Sequence, residues 1–165
     1  MSEPLPVRRG GAGDVSACLE IARSLPDYVT PTAVAKMEQD FEHQVTYVAA
    51  APYVVGFLTL RRHNVHTAEV SWLAVQRGWW RQGFGAALVK AAATDLQVSG
   101  GVLLQVKTLA ATMDYRPYAI TRQFYEKCGF FHLETIDPFP GWDPGNPCAI
   151  YVKVLGIEDA RSYKP

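Results

Sequence analysis

Apolar residues first fall into a short run, Leu5 to Arg9, that reads as a strand. They then recur at Val15, Cys18, Leu19 and Ala22, the i, i+3, i+4, i+7 spacing of a helix with one buried face. Asp14 stands where an N-cap belongs, and Pro26 closes the segment. Thr30-Pro31 offers a second cap with proline at the first helical position, for a short helix burying Val34, Met37 and Phe41. Periodicity then shortens to that of strands. Val45 to Ala50 and Tyr53 to Arg62 form a β-rich pair broken by Ala51-Pro52, which predicts an antiparallel hairpin, and Ala68 to Val75 continues the sheet. A long amphipathic helix runs from Gly83 to about Val98 with Phe84, Leu88, Ala91, Ala92 and Leu96 inward, and Gly100-Gly101 stops it. Val102 to Thr108 reads as a buried strand. A last helix begins near Pro117, with Ile120, Phe124 and Cys128 predicted inward and Tyr118, Arg122 and Tyr125 on the other face, and Gly129 ends it. Phe130 to Ile136 and Cys148 to Leu155 are the final strands, separated by the Pro-, Gly- and Trp-rich loop 137–147. The order predicts an α/β (α+β) domain with a mixed, mostly antiparallel sheet of six to seven strands and about four helices.

Composition narrows the class. With 165 residues the chain is one domain in size, with a core of about 5–155 and a tail 156–165, and it can bury that core without disulfides or metal. Sixteen basic residues balance sixteen acidic ones, and no Lys/Arg block occurs, so the electrostatic footprint of a nucleic-acid or anionic-membrane binder is missing. The opening residues carry no long apolar stretch, which predicts a cytoplasmic protein. Cys18, Cys128 and Cys148 have no metal-ligand spacing to His63, His66 or His132, so they read as reduced packing residues and no metal is expected. A last strand with an open edge makes a homodimer reasonable.

The chemistry concentrates in Val75-Gln76-Arg77-Gly78-Trp79-Trp80-Arg81-Gln82-Gly83-Phe84-Gly85-Ala86, where a strand gives way to glycines and then to a helix. Glycines let the backbone approach a ligand closely, and the free N–H groups and dipole of the helix start favour phosphate oxygens. No Lys-Ser/Thr pair follows the glycines, which excludes a triphosphate loop, and the third glycine of a dinucleotide fingerprint would fall at Leu88. A different pyrophosphate remains. Here the chain resembles the GNAT superfamily of acyl-CoA N-acyltransferases, whose signature is R/Q-x-x-G-x-G/A. Trp80-Arg81-Gln82-Gly83-Phe84-Gly85 keeps both glycines, with Trp80 at the opening position and Arg81 where glycine is common. Phe124-Tyr125-Glu126-Lys127-Cys128-Gly129-Phe130 matches the family's late-helix F-Y-x-x-x-G-F.

The resemblance implies that strands four and five splay apart and that the pantetheine arm of acetyl-CoA lies along Leu73, Ala74 and Val75. The Leu73 N–H would then stabilise the oxyanion of the tetrahedral intermediate. It also implies that the pyrophosphate rests on the N–H groups of Arg81, Gln82, Gly83, Phe84, Gly85 and Ala86. Tyr125 would be the general acid toward the departing thiolate, and Glu69, four residues before Leu73, a general base acting through water. An ammonium of ordinary pKa costs roughly 4 to 5 kcal/mol to deprotonate at neutral pH, so a base is useful. Position points to Tyr28, Asp114, Tyr115, Tyr118 and Trp142 for an aromatic, mildly acidic acceptor pocket.

The resemblance implies an N-acetyltransferase that passes acetyl from acetyl-CoA to the primary amine of a small molecule by direct attack in a ternary complex. Two alternatives stand beside it: acetylation of a protein lysine or N-terminus, and a non-catalytic acyl-CoA-binding sensor.

Overall fold

The computed structural model describes residues 5–156. A seven-stranded sheet runs through it: β1 (Val7–Arg9), β2 (Val45–Ala50), β3 (Val54–Arg62), β4 (Thr67–Val75), β5 (Leu103–Leu109), β6 (Phe131–Ile136) and β7 (Cys148–Val154). The order is β1-β2-β3-β4-β5-β7-β6. All neighbours are antiparallel except β4 and β5. The chain makes that parallel step through α3 (Phe84–Val98), the crossover a parallel pair requires. α1 (Val15–Arg23) and α2 (Pro31–Asp40) cover one face of the sheet; α3 and α4 (Arg116–Lys127) cover the other. Among the described residues no helix is long and apolar enough to cross a membrane.

The sheet therefore has two cores. On the α3 side Val55, Leu58, Val70, Leu88, Ala92, Leu96, Leu104 and Val106 pack together; on the α1/α2 side Cys18, Leu19, Val34, Met37, Phe57 and Ala74 do. Thr30 Oγ1 accepts from the Ala33 N–H at 3.1 Å, the cap expected for α2. Asp14 behaves differently. It makes no side-chain cap on α1, because its carboxylate accepts from the Gly11 N–H at 2.9 Å and from the Arg8 guanidinium at 2.8 and 2.9 Å, closing the preceding turn instead. Those bonds pull its pKa down to about 2.

Two expectations are corrected. The last strand is no open edge: β7 lies between β5 and β6, so β6 is the exposed border, with Phe131 and Leu133 40% and 59% exposed. The orientation of α4 differs in part as well: Phe124 and Cys128 pack against the core as expected, but Ile120 and Tyr125 do not follow the pattern. Tyr125 is buried while Ile120 is 45% exposed. The face carrying Tyr118, Arg122 and Tyr125 turns inward because its polar ends find acceptors: the Tyr118 hydroxyl donates to Tyr28 O at 3.0 Å and Arg122 to Leu109 O at 2.6 Å. Ile120, Phe124 and Cys128 line a cavity that Tyr125 also reaches.

Candidate active site

The sheet is continuous across β4 and β5 only from Thr67↔Leu103 to Val70↔Val106. Beyond Val70 the strands part. A bulge at the start of the gap contributes, since Thr59 pairs with Trp72 and Leu60 with Val70, leaving Ser71 without a partner on β3. The same ladder fixes where the backbone of β4 points. The Gln76 N–H donates to Val55 O, so hydrogen-bonded pairs alternate back along the register at Phe57↔Ala74 and Thr59↔Trp72. The intervening N–H groups of Leu73 and Val75 point away from β3 into the gap. Val75 O, on the same side, is already taken: the Trp80 indole N–H donates to it at 2.5 Å. An extended ligand could pair with Leu73 but not with that last carbonyl.

The gap opens on a cavity of about 1550 Å³ lined by Leu73, Ala74, Val75, Trp80, Arg81, Gly83, Phe84, Gly85, Ala86, Phe124 and Tyr125, and reaching Tyr28 of the α1–α2 loop. At its mouth α3 starts without a side-chain cap. The first intrahelical bond here is Ala87 N–H to Gly83 O, which leaves the N–H groups of Phe84, Gly85 and Ala86 free of helical acceptors. Gly83 sits at φ 87°, and a Cβ on Gly85 would lie 3.0 Å from the Phe124 ring. Gly83 needs glycine for its backbone angle, and a side chain at Gly85 would press the Phe124 ring. Arg81 has φ 60°, a left-handed conformation that accounts for the glycine common there in the family and that this chain adopts with a side chain. Gln82 turns away, its amide donating to Gly78 O at 3.1 Å. Trp80 packs edge-on to Tyr28 at 5.8 Å under the Arg77 guanidinium, and Trp79 packs on Phe84 at 5.5 Å.

Tyr125 faces this cavity. Its ring is wedged between Phe124 and Phe130, with centroids 5.2 and 5.4 Å away. Among the described residues its hydroxyl has no hydrogen-bond partner, while burial pushes the phenol above its ordinary value. The group holds its proton and, among the described residues, has nothing to give it to.

Glu69 lies apart from the cavity. Strand alternation and the bulge place it with Trp72 and Ala74 on the α1/α2 face. Its carboxylate accepts from Arg61 at 2.9 Å and from Lys107 at 3.0 and 3.1 Å, and His63 Nε2 is 3.0 Å away. Burial pushes its pKa up, but the bonds to Lys107 and Arg61 outweigh that and hold it below the ordinary carboxylate value. Register predicts this cluster, because Arg61 is cross-strand from Glu69. Arg61 and Lys107 are not among the residues expected from the sequence.

Of the expected acceptor residues, Tyr28, Tyr115 and Tyr118 come together. Ring centroids are 6.0 Å apart for Tyr28 and Tyr118 and 5.9 Å for Tyr115 and Tyr118, and the Tyr115 hydroxyl donates to Asp27 O at 2.8 Å. Trp142 does not join them; it packs on Phe139 in the β6–β7 loop at 5.5 Å. Asp114 is exposed.

Known proteins share this fold. No curated protein matches the chain by sequence. A protein of the GNAT family from Desulfovibrio desulfuricans is 23% identical with a TM-score of 0.78, covering 91% of this chain and 98% of its own. The ribosomal-protein-S18-alanine N-acetyltransferase from Escherichia coli is 17% identical (TM-score 0.73; 96% and 99% covered). An aminoglycoside 6'-N-acetyltransferase complexed with coenzyme A is 15% identical (TM-score 0.70; 94% and 99% covered). At such identities the likeness is one of fold. The sequence itself carries the rest, for the pattern of the acetyltransferase (GNAT) domain matches residues 42–131, from the hairpin before the splay to the turn after Tyr125, and the chain belongs to that family.

Proposed function

We propose that the protein is an N-acetyltransferase that uses acetyl-CoA and a primary amine of a small molecule. The observation that carries this reading is the meeting of three unsatisfied donors on one cavity: the Leu73 N–H in the gap, the Tyr125 hydroxyl, and the N–H row at the start of α3. The residues fit the cofactor. A row of free N–H groups beside Arg81 suits a pyrophosphate, and the apolar flank of Ile120, Phe124 and Cys128 suits a pantetheine arm. Acetyl-CoA supplies an activated acetyl thioester.

In this reading the Leu73 N–H donates to the thioester carbonyl, where negative charge grows during attack. Tyr125 donates to the leaving sulfur; a thiolate at its ordinary value is a weaker base than a phenolate, so hydrogen-bond donation rather than full transfer is enough. Glu69 stands apart from the reacting atoms with both its oxygens engaged by Lys107 and Arg61, so it would take the amine's proton only through intervening water. A small acceptor is favoured over a peptide by the ties that close one end of the cleft: Tyr115 to Asp27 O and Tyr118 to Tyr28 O join α4 to the α1–α2 loop. The unpartnered Tyr125 hydroxyl weighs against a mere sensor, which has no use for it.

Thermal unfolding with and without acetyl-CoA is the test. Ligand at about 100 times its Kd adds roughly 2.7 kcal/mol, a rise of several degrees. Release of CoA thiol on addition of amines then separates transferase from sensor, and no thermal shift at millimolar acetyl-CoA would end both readings.

A further inference from the structure

The cluster around Glu69 is electrically lopsided. Two permanent cations, Arg61 and Lys107, and the imidazole of His63 surround a single carboxylate. The chain as a whole is neutral, so the excess is local. Glu69 is 8% exposed and Lys107 20%, whereas Arg61 and His63 reach solvent at 49% and 35%. Only Nη2 of Arg61 binds Glu69, and among the described residues the rest of its fork has no protein partner. Lys107 has Glu69 below it and the Phe139 ring 5.5 Å away in the β6–β7 loop. A half-buried site with one positive charge more than it has partners for is built to receive an anion, and an arginine fork with free N–H groups suits a carboxylate.

The cluster sits on the α1/α2 face of the sheet, beside the part of β4 that leads to the gap. Glu69 lies on the α1/α2 side of β4, short of Trp72, whose indole is held by Asp40 of α2 at 2.7 Å. From Glu69 to Leu73 there are three ladder steps once the bulge is discounted, about 10 Å. Whatever reacts beside Leu73 can reach the cations only if it is long.

Resting on the acetyltransferase reading, we infer that the acceptor is an amine bearing a carboxylate at its far end, and that this carboxylate docks on Arg61, His63 and Lys107. The amine lies in the gap near Leu73 and Tyr125, and the anion anchors the molecule about 10 Å away, close to three extended residues in length. A cationic tail would meet repulsion at the same place. This departs from the acidic, aromatic pocket expected from the sequence, since Asp114 and Trp142 do not gather there.

The test is calorimetric titration, with and without CoA, of glycine, gamma-aminobutyrate, aminohexanoate and aminooctanoate, each beside the alkylamine of equal length. The expected result is a preference of at least tenfold for the longer amino carboxylates over their alkylamines. Arg61→Gln and Lys107→Met should abolish that preference, while Glu69→Gln, which removes the competing internal carboxylate, should strengthen carboxylate binding. Opposite signs from neighbouring residues separate recognition from general damage. Equal binding of both series, no binding of either, or a preference that survives both cation substitutions overturns the inference. A protein that binds the amino carboxylates but not CoA would instead bring down the acetyltransferase reading and leave the anion site standing.

Discussion

Tyr125→Phe divides stability from turnover. The substitution removes one oxygen from a ring that is 5% exposed, and the contacts to Phe124 and Phe130 belong to the ring rather than to the hydroxyl. No hydrogen bond within the described residues is lost, so stability should stay within about 0.5 kcal/mol of the parent, or about 1 to 2 °C for a chain of this size. Acetyl-CoA binding should hardly change, because the cradle is backbone. Turnover should fall about 10²- to 10⁴-fold, the range for loss of a positioned acid, which is roughly 2.7 to 5.5 kcal/mol of barrier. Steady-state release of CoA thiol gives kcat and KM, and a thermal melt of the same sample gives stability. Burial raises the phenol's pKa, so its neutral form is favoured in the fold. Its contribution is complete below the ordinary tyrosine value and is lost as pH climbs past it, so Tyr125 should put no basic limb on the rate below about pH 10. Turnover within threefold of the parent would remove Tyr125 from the chemistry. Destabilisation by more than about 1 kcal/mol would mean that the hydroxyl is a structural group.

The other predictions concern the cradle and the charged row. Gly85→Ala places a methyl 3.0 Å from Phe124, whose ring can yield only into the cavity; urea melts should be near neutral, while acetyl-CoA affinity drops at least tenfold by titration. Arg81→Gly relieves a left-handed non-glycine residue, about 0.5 to 1 kcal/mol after the entropy of the added glycine, so the melting temperature rises while acetyl-CoA binding weakens most at low salt. Glu69→Gln leaves Lys107 without its counter-charge and should cost about 1 to 3 kcal/mol at neutral pH. Since the folded carboxylate titrates below its ordinary value, that stabilisation is present above the unfolded value and is lost as pH falls through the folded one, so the two proteins' melts should converge in acid.

Much of this was legible without coordinates. Alternation and glycine placement gave the strands, the α2 cap and the glycine loop, because each depends on residues next to one another in sequence. The Leu73 N–H was legible only through resemblance; nothing local marks the bulge at Ser71 that redirects the strand. The Glu69 cluster spans three strands, and Lys107 reaches it only through the parallel β4–β5 pairing. Arg61 alone was within reach of counting, from the hairpin register.

The partial departure of α4 follows from what a hydrophobic stripe records. Ile120, Phe124 and Cys128 repeat at helical spacing, and the same spacing would arise against a core or against a ligand. Here α4 buries Tyr125 against the core, and Phe124 and Cys128 pack on that core while also forming the cavity wall with Ile120. The inward face contains Arg122, which a pattern rule rejects, yet Arg122 is satisfied by Leu109 O at the very point where β5 has lost β4 as a neighbour. The splay that opens the gap also frees the carbonyl that lets a charged residue face inward. A helix beside such a gap can therefore show its more polar side to the protein and keep its apolar side for what binds.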